Sequence, residues 1–179
     1  MSEYSSYRMW LMRATFVVLT LVILFIHLLP LNTTPGGWAL PDMLLGFAFA
    51  WSVRRPDYVP AILLGGMLLL ADLLLQRPPG LWAAIVLLCS ESLKAQIQSL
   101  RAAAFPVEWA TVAGLILGAT VVNRVVLAVL LIDVPALLPT LAQMGMTILC
   151  YPLMVFITHA LLGVRKSVPG DLDPMGGRA

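Results

Sequence analysis

Six stretches of this chain are too apolar to face water along their length: residues 14–31, 38–53, 59–76, 80–100, 107–131 and 138–163. A helix rises 1.5 Å per residue, and about 20 apolar residues carry it across the roughly 30 Å hydrocarbon core of a bilayer. With 60% of its residues apolar, 11% charged and a mean hydropathy of +0.94, the chain has about half the charge of a soluble domain. That leaves too little charged surface to wrap a water-soluble globule. The expectation is an all-α membrane protein: a bundle of six transmembrane helices over residues 1–165, followed by a disordered cytoplasmic tail over 166–179, where SVPGDLDPMGGRA is rich in Gly, Pro and Asp.

Orientation follows from where the cations fall. With the N-terminus in the cytoplasm, Arg8, Arg13, Arg54, Arg55, Lys94, Arg101, Arg165, Lys166 and Arg178 lie inside. Arg77 alone lies outside, and Arg124 lies within a span. Cytoplasmic loops carry the excess of Lys and Arg, so this distribution puts both termini in the cytoplasm. The second span is the shortest, reaching about 24 Å if fully helical. Were it re-entrant, Arg165 and Lys166 would move outside, against the charge rule. The first span is longer than a signal-peptide core and lacks a closely following small-x-small cleavage site, so it reads as a retained helix. Cys89 and Cys150 lie mid-span without CxxC spacing and read as small apolar fillers.

The loops are short. NTTPGGWALP, RPPG and DVPA turn the chain on the outside, and RRPDYVP turns it inside, where its arginines can reach the headgroups. The inner stretch 93–105 differs: Leu93, Ile97, Leu100 and Ala104 recur at i, i+4, i+7 and i+11, while Lys94, Gln96, Gln98 and Arg101 take the other side. That is the pattern of an amphipathic interfacial helix, read either as a solvated helix end or as a docking surface.

Functional information in such a bundle sits in the few polar groups that lipid would not tolerate. The third span reads GGMLLLADLLLQRPPG, with Asp72 on the helix face of Gly65. A carboxylate in hydrocarbon costs at least a few kcal/mol, so Asp72 is expected to point into the bundle. Arg124 in the fifth span and His27 in the first lie at a similar depth, which points to an outer polar cluster containing an Asp72–Arg124 pair. Asn123, beside Arg124, is placed with this outer cavity; Gln143 and Thr147 either line it or, as the preferred reading, bond backbone carbonyls of neighbouring helices. Gly65, Gly66, Gly114 and Gly118 mark close helix packing or a groove for a partner helix. His159 lies near the inner end of its span, too far in depth from His27 to share a metal. There is no HExxH, GxSxG or phosphate loop and no metal-spaced carboxylate set, so neither catalysis nor a cofactor is expected. Glu91, beside Ser90 and Ser92, is expected to pair with Lys94 at i,i+3.

The order of these features resembles MreD, the small membrane subunit of the bacterial rod-shape system. A first span is followed by Pro41-Asp42 opening PDMLLGFAFAW, a basic turn RRPDYVP, and a glycine-bearing span with an aspartate near its outer end before a Pro-Gly turn. The likeness covers about the whole chain and rests on the order of these features taken together. It implies a non-catalytic scaffold in a bacterial inner membrane that binds MreC directly. It further implies RodA, a class B penicillin-binding transpeptidase and the MreB filament in the same complex, contact with membrane lipids, and no nucleic acid. The MreD bundle is in turn similar to the S-components of energy-coupling-factor transporters, which have six helices and an outward-facing pocket. A solute-binding subunit of that kind is therefore the alternative expectation.

Overall fold

A computed structural model describes residues 2–29 and 40–160. Arg165, Lys166 and the tail over 166–179 lie outside the described residues. Seven α-helices follow one another: α1 Ser2–Leu28, α2 Met43–Arg54, α3 Ala61–Leu74, α4 Leu81–Ala95, α5 Ile97–Ala102, α6 Phe105–Val129 and α7 Leu137–Ala160. A single 3₁₀ turn, Pro56–Tyr58, joins α2 to α3, and no strand occurs among the described residues. Three segments, Tyr7–Leu28, Phe105–Val129 and Leu137–Ala160, are long and apolar enough to cross a membrane. Their outward side chains are apolar too: Val18, Phe25, Val125, Val129, Leu138 and Phe156 are each more than half exposed. A water-soluble monomer does not leave so much contiguous hydrocarbon uncovered. The chain is a helical membrane protein.

The centre of the bundle is α2. It touches α1, α4 and α7, and every residue from Leu44 to Arg54 is buried. A helix apolar all round belongs inside other helices rather than against water. Twelve residues make only about 18 Å, well short of the bilayer core. Its sequence alternates bulk with small residues, and Gly46 marks the tightest approach: a Cβ there would fall on the Met154 sulfur of α7. Asp42 starts the helix, its Oδ1 accepting from the Leu45 N–H at 3.0 Å, and Pro56 follows its end. Phe16 and Trp51 pack with their rings tilted by 52° and their centroids 5.3 Å apart in the adjoining core.

Two other features follow from single residues. Pro152 inside α7 has no N–H to offer the carbonyl four residues back, and the indole of Trp109 takes that carbonyl, Ile148 O, at 2.9 Å. Threonines 15, 111, 120, 140, 147 and 158 each donate to the carbonyl four residues earlier, so the hydroxyl hydrogens of these six are satisfied locally.

The expected amphipathic helix over 93–105 is not continuous. α4 stops at Ala95, Gln96 breaks the ladder, and Ala103 and Ala104 are extended before α6 begins. Pro106 sits in the first turn of α6, where a residue without an N–H starts a helix more easily than it continues one. Leu93 and Leu100 are buried against the bundle. Lys94 belongs to α4 rather than to an interfacial helix; it donates to Val59 O at 2.6 Å and to Glu91 Oε1 at 2.7 Å, the latter being the expected i,i+3 pair. Arg101 falls within α5, and its side chain lies outside the described residues.

Candidate functional site

The helices run antiparallel, so the bundle has two ends. At one end lie Asp42, the α3–α4 turn and the α6–α7 loop. At the other lie Arg13, Arg54, Lys94 and Glu108. The first end holds a cavity of about 520 Å³ enclosed by the start of α2, the α3–α4 turn, α6, the α6–α7 loop and α7. We call it the pocket end and the other the basic end.

Apolar walls come from Leu45, Leu81, Trp82, Ile116, Leu127 and Met144. Polar groups are set among them: Asp42 and Arg77, Asn123 of α6 and Gln143 of α7, with Asp133 in the α6–α7 loop. Arg77 Nη1 stands 3.7 Å from Asp42 Oδ2, and its guanidinium lies 5.8 Å from the Trp82 ring. Asp42 is held from behind, since its backbone N–H donates to Thr147 Oγ1 at 2.8 Å, which itself donates to Gln143 O at 2.7 Å. Gln76, also on the cavity, adopts a left-handed φ of +54°, a conformation that glycine adopts at less cost.

Of the residues expected in an outer cluster, Asn123 and Gln143 border this cavity, whereas Asp72, Arg124 and His27 do not. The Asp72–Arg124 pair does not form. Asp72 Oδ2 accepts the backbone N–H groups of Gly80 at 3.1 Å and Ala83 at 3.0 Å, so the start of α4, rather than a side chain, is its partner. Gly80 itself, at φ +87°, supplies no side-chain cap, and Asp72 provides from α3 the acceptor that a capping side chain would give. Arg124 Nη1 donates to Pro135 O at 2.8 Å and Thr140 Oγ1 at 3.2 Å, tying the α6–α7 loop to α6. His27 bonds its own helix at Ile23 O, 3.3 Å. The three are separate. Both Asp72 and Arg124 nevertheless hold the cavity's wall, one by fixing the turn that carries Arg77 and Trp82, the other by fixing the loop opposite.

A buried ionic cluster does exist, but at the basic end. Arg54 Nη2 donates to Glu108 Oε1 at 3.3 Å, with 7% and 0% of the two side chains exposed. The Tyr151 hydroxyl donates to the same oxygen at 3.1 Å. Arg54 therefore does not snorkel to the headgroups as its place in RRPDYVP implied; it turns inward from α2 to α6. Comparing charges by depth would have found this pair, because Arg54 ends one span where Glu108 begins another. Arg13 contributes at the same end, donating to Asp57 O from Nε at 3.2 Å and Nη2 at 3.1 Å.

The glycines divide. A Cβ on Gly65 would stand 3.5 Å from Leu87 Cδ2, so α3 and α4 pack there. At Gly66, Gly114 and Gly118 nothing lies within 4 Å of such a Cβ, so these do not serve packing among the described residues. Compared with known protein families, curated proteins and solved structures, the chain finds no match.

Proposed function

We propose that the chain is a non-catalytic scaffold of a bacterial inner membrane, of the MreD type, with six membrane-crossing segments and both termini in the cytoplasm. It holds a single-span MreC-type partner, and through it works with a RodA-type glycan polymerase, a class B penicillin-binding transpeptidase and an MreB filament in cell-wall elongation.

The open glycine face of α6 carries the reading. Gly114, Leu117, Gly118, Val121 and Val125 follow one another at i, i+3, i+4, i+7 and i+11, and Leu117, Val121 and Val125 are half exposed or more. In lipid, small residues let the backbone of another helix come close, and association rests on that packing. Gly145 of α7 is level with this stretch, since Trp109 meets Ile148 and Arg124 meets Thr140 across the two helices. The sequence features that carry the MreD likeness serve as joints within the bundle: Asp42 caps α2, Asp57 receives Arg13, and Asp72 caps α4.

The test is a pair of variants, Gly114→Leu and Gly118→Leu. Both should fold, because the added side chains meet open space, and both should lose a single-span coiled-coil protein that purifies with the unsubstituted chain from native membranes. A depletion strain that stays rod-shaped refutes the reading, as does a native preparation lacking any single-span partner. One observation favours the second reading, a solute-binding bundle of S-component type: the cavity at the pocket end. Uptake of a solute by cells that depends on this chain would support it.

A further inference from the structure

We infer that the cavity at the pocket end is a binding site for a zwitterion carrying a primary ammonium and a carboxylate or phosphate, the chemistry shared by an ethanolamine lipid headgroup and a free amino acid. The inference stands whichever partner the bundle holds.

Three charged side chains line the cavity, Asp42, Arg77 and Asp133, and the first two, which face each other, carry it. Asp42 and Arg77 face each other at 3.7 Å, longer than a charge-assisted hydrogen bond of about 2.8 Å. The two differ in how they are held. Asp42 is fixed, its Oδ1 spent on the Leu45 N–H and its backbone on Thr147, which leaves Oδ2 for the cavity. Arg77 is a third exposed; its guanidinium stands 3.7 Å from Asp42 and 5.8 Å from the Trp82 ring and feels the charge of Asp72, but no side chain among the described residues holds it at hydrogen-bond distance, so it can swing aside. An anion entering here would take Arg77 and leave Asp42 without a counter-charge, and a cation would do the reverse. A zwitterion gives each its own partner: the ammonium donates to Asp42 Oδ2, and the anionic oxygens take the planar fork of Arg77.

The remaining surface fits such a molecule. The side-chain amides of Asn123 and Gln143, on facing helices, make no hydrogen bond among the described residues, and each offers both donors and an acceptor. Leu81, Trp82, Ile116 and Met144 supply apolar wall. A volume of about 520 Å³ falls in the range of pockets that hold small molecules.

The experiment uses the full chain, purified in detergent and stripped of lipid, with binding read by titration and by the thermal unfolding midpoint. The probes are dioctanoyl phosphatidylethanolamine, dioctanoyl phosphatidylglycerol, which lacks the ammonium, dioctanoyl phosphatidylcholine, whose ammonium has no N–H, and the soluble zwitterions alanine and glycerophosphoethanolamine. The ethanolamine lipid or a soluble zwitterion should bind at least tenfold more tightly than the glycerol and choline lipids and raise the midpoint. Binding by the ethanolamine lipid alone assigns the source to the membrane; binding by alanine or glycerophosphoethanolamine assigns it to a soluble molecule. Asp42→Asn keeps the helix cap, since asparagine caps as well as aspartate, and should abolish the preference for ethanolamine over choline. Arg77→Gln and Gln143→Met should each weaken binding about tenfold. Equal binding of all three lipids, no binding of any probe, or a preference unchanged in Asp42→Asn overturns the inference.

Discussion

Replacing Asp72 by alanine should destabilise the bundle by about 3 kcal/mol, through the start of α4 rather than through a lost ion pair. The carboxylate is fully buried, and one of its oxygens accepts two backbone N–H groups, from Gly80 and Ala83, at 3.1 and 3.0 Å. Hydrogen bonds to a charged group contribute roughly 1.5–3 kcal/mol each. The Ala83 donor is buried and would be left without an acceptor, whereas that of Gly80 lies nearer the cavity and can reach water, so the loss falls toward the lower end of the sum. Asp72→Asn separates acceptor from charge. Its amide oxygen can take both N–H groups, while its N–H₂ would stand where Oδ1 lies buried without a hydrogen-bond partner, so the loss should be about 1–2 kcal/mol, still below that of alanine. The assay is reversible unfolding of the purified chain in mixed micelles at rising sodium dodecyl sulfate, read by tryptophan fluorescence. An alanine variant losing under about 1 kcal/mol would refute the capping role. So would an asparagine variant as damaged as the alanine one, because the charge itself would then be what the site needs.

Asp72→Ala combined with Arg124→Ala should give the sum of the single losses to within about 0.5 kcal/mol, since the two side chains share no partner; a mutant cycle in the same micelles measures it. Arg54→Met and Glu108→Gln should each cost about 3–5 kcal/mol, because each removes the counter-charge of a buried ion, while the double apolar replacement Arg54→Met with Glu108→Leu should be milder than either. Gly46→Ala should cost about 1–3 kcal/mol by overpacking α2 against Met154, and shortening that side chain with Met154→Val should restore most of the loss, checked by thermal unfolding.

Much of the fold is legible in the sequence because membrane crossing is a condition on length and polarity. The apolar runs at 107–131 and 138–163 correspond to Phe105–Val129 and Leu137–Ala160, and 59–76 to Ala61–Leu74. What does not show is which face of a run meets protein. MLLGFAFAWSVR reads like any other apolar stretch, yet it is the one helix buried on every side, because burial depends on what the other helices leave open. The same limit applies to Asp72. Matching charged side chains by depth can find Arg54 with Glu108, but it cannot find a carboxylate whose partners are backbone N–H groups, since every residue type except proline carries one. The cavity is legible in the sequence only through Asn123 and Gln143, whose carboxamides are out of place on lipid-facing helices; Asp42 and Arg77 are far apart in the chain and meet only because the α3–α4 turn reaches the start of α2.

The two ends of the bundle use their charges differently, and α2 connects them. At the basic end Arg54, Glu108 and Tyr151 are buried and bonded to one another, and Lys94 ties α4 to the turn before α3. At the pocket end the ion pair is long and partly exposed. A helix of about 18 Å is too short for hydrophobic length alone to set its depth in a bilayer, as it can for a helix that matches the hydrocarbon core. Polar anchors at its termini do this instead: Asp42 joined to Thr147 at one end and Arg54 joined to Glu108 at the other. Both anchors reach the α6–α7 pair, so that pair and α2 are held in one register. The partner helix proposed for the open face of α6 would therefore dock on a helix whose position is fixed from inside the bundle, while the charges at the pocket end are held more loosely.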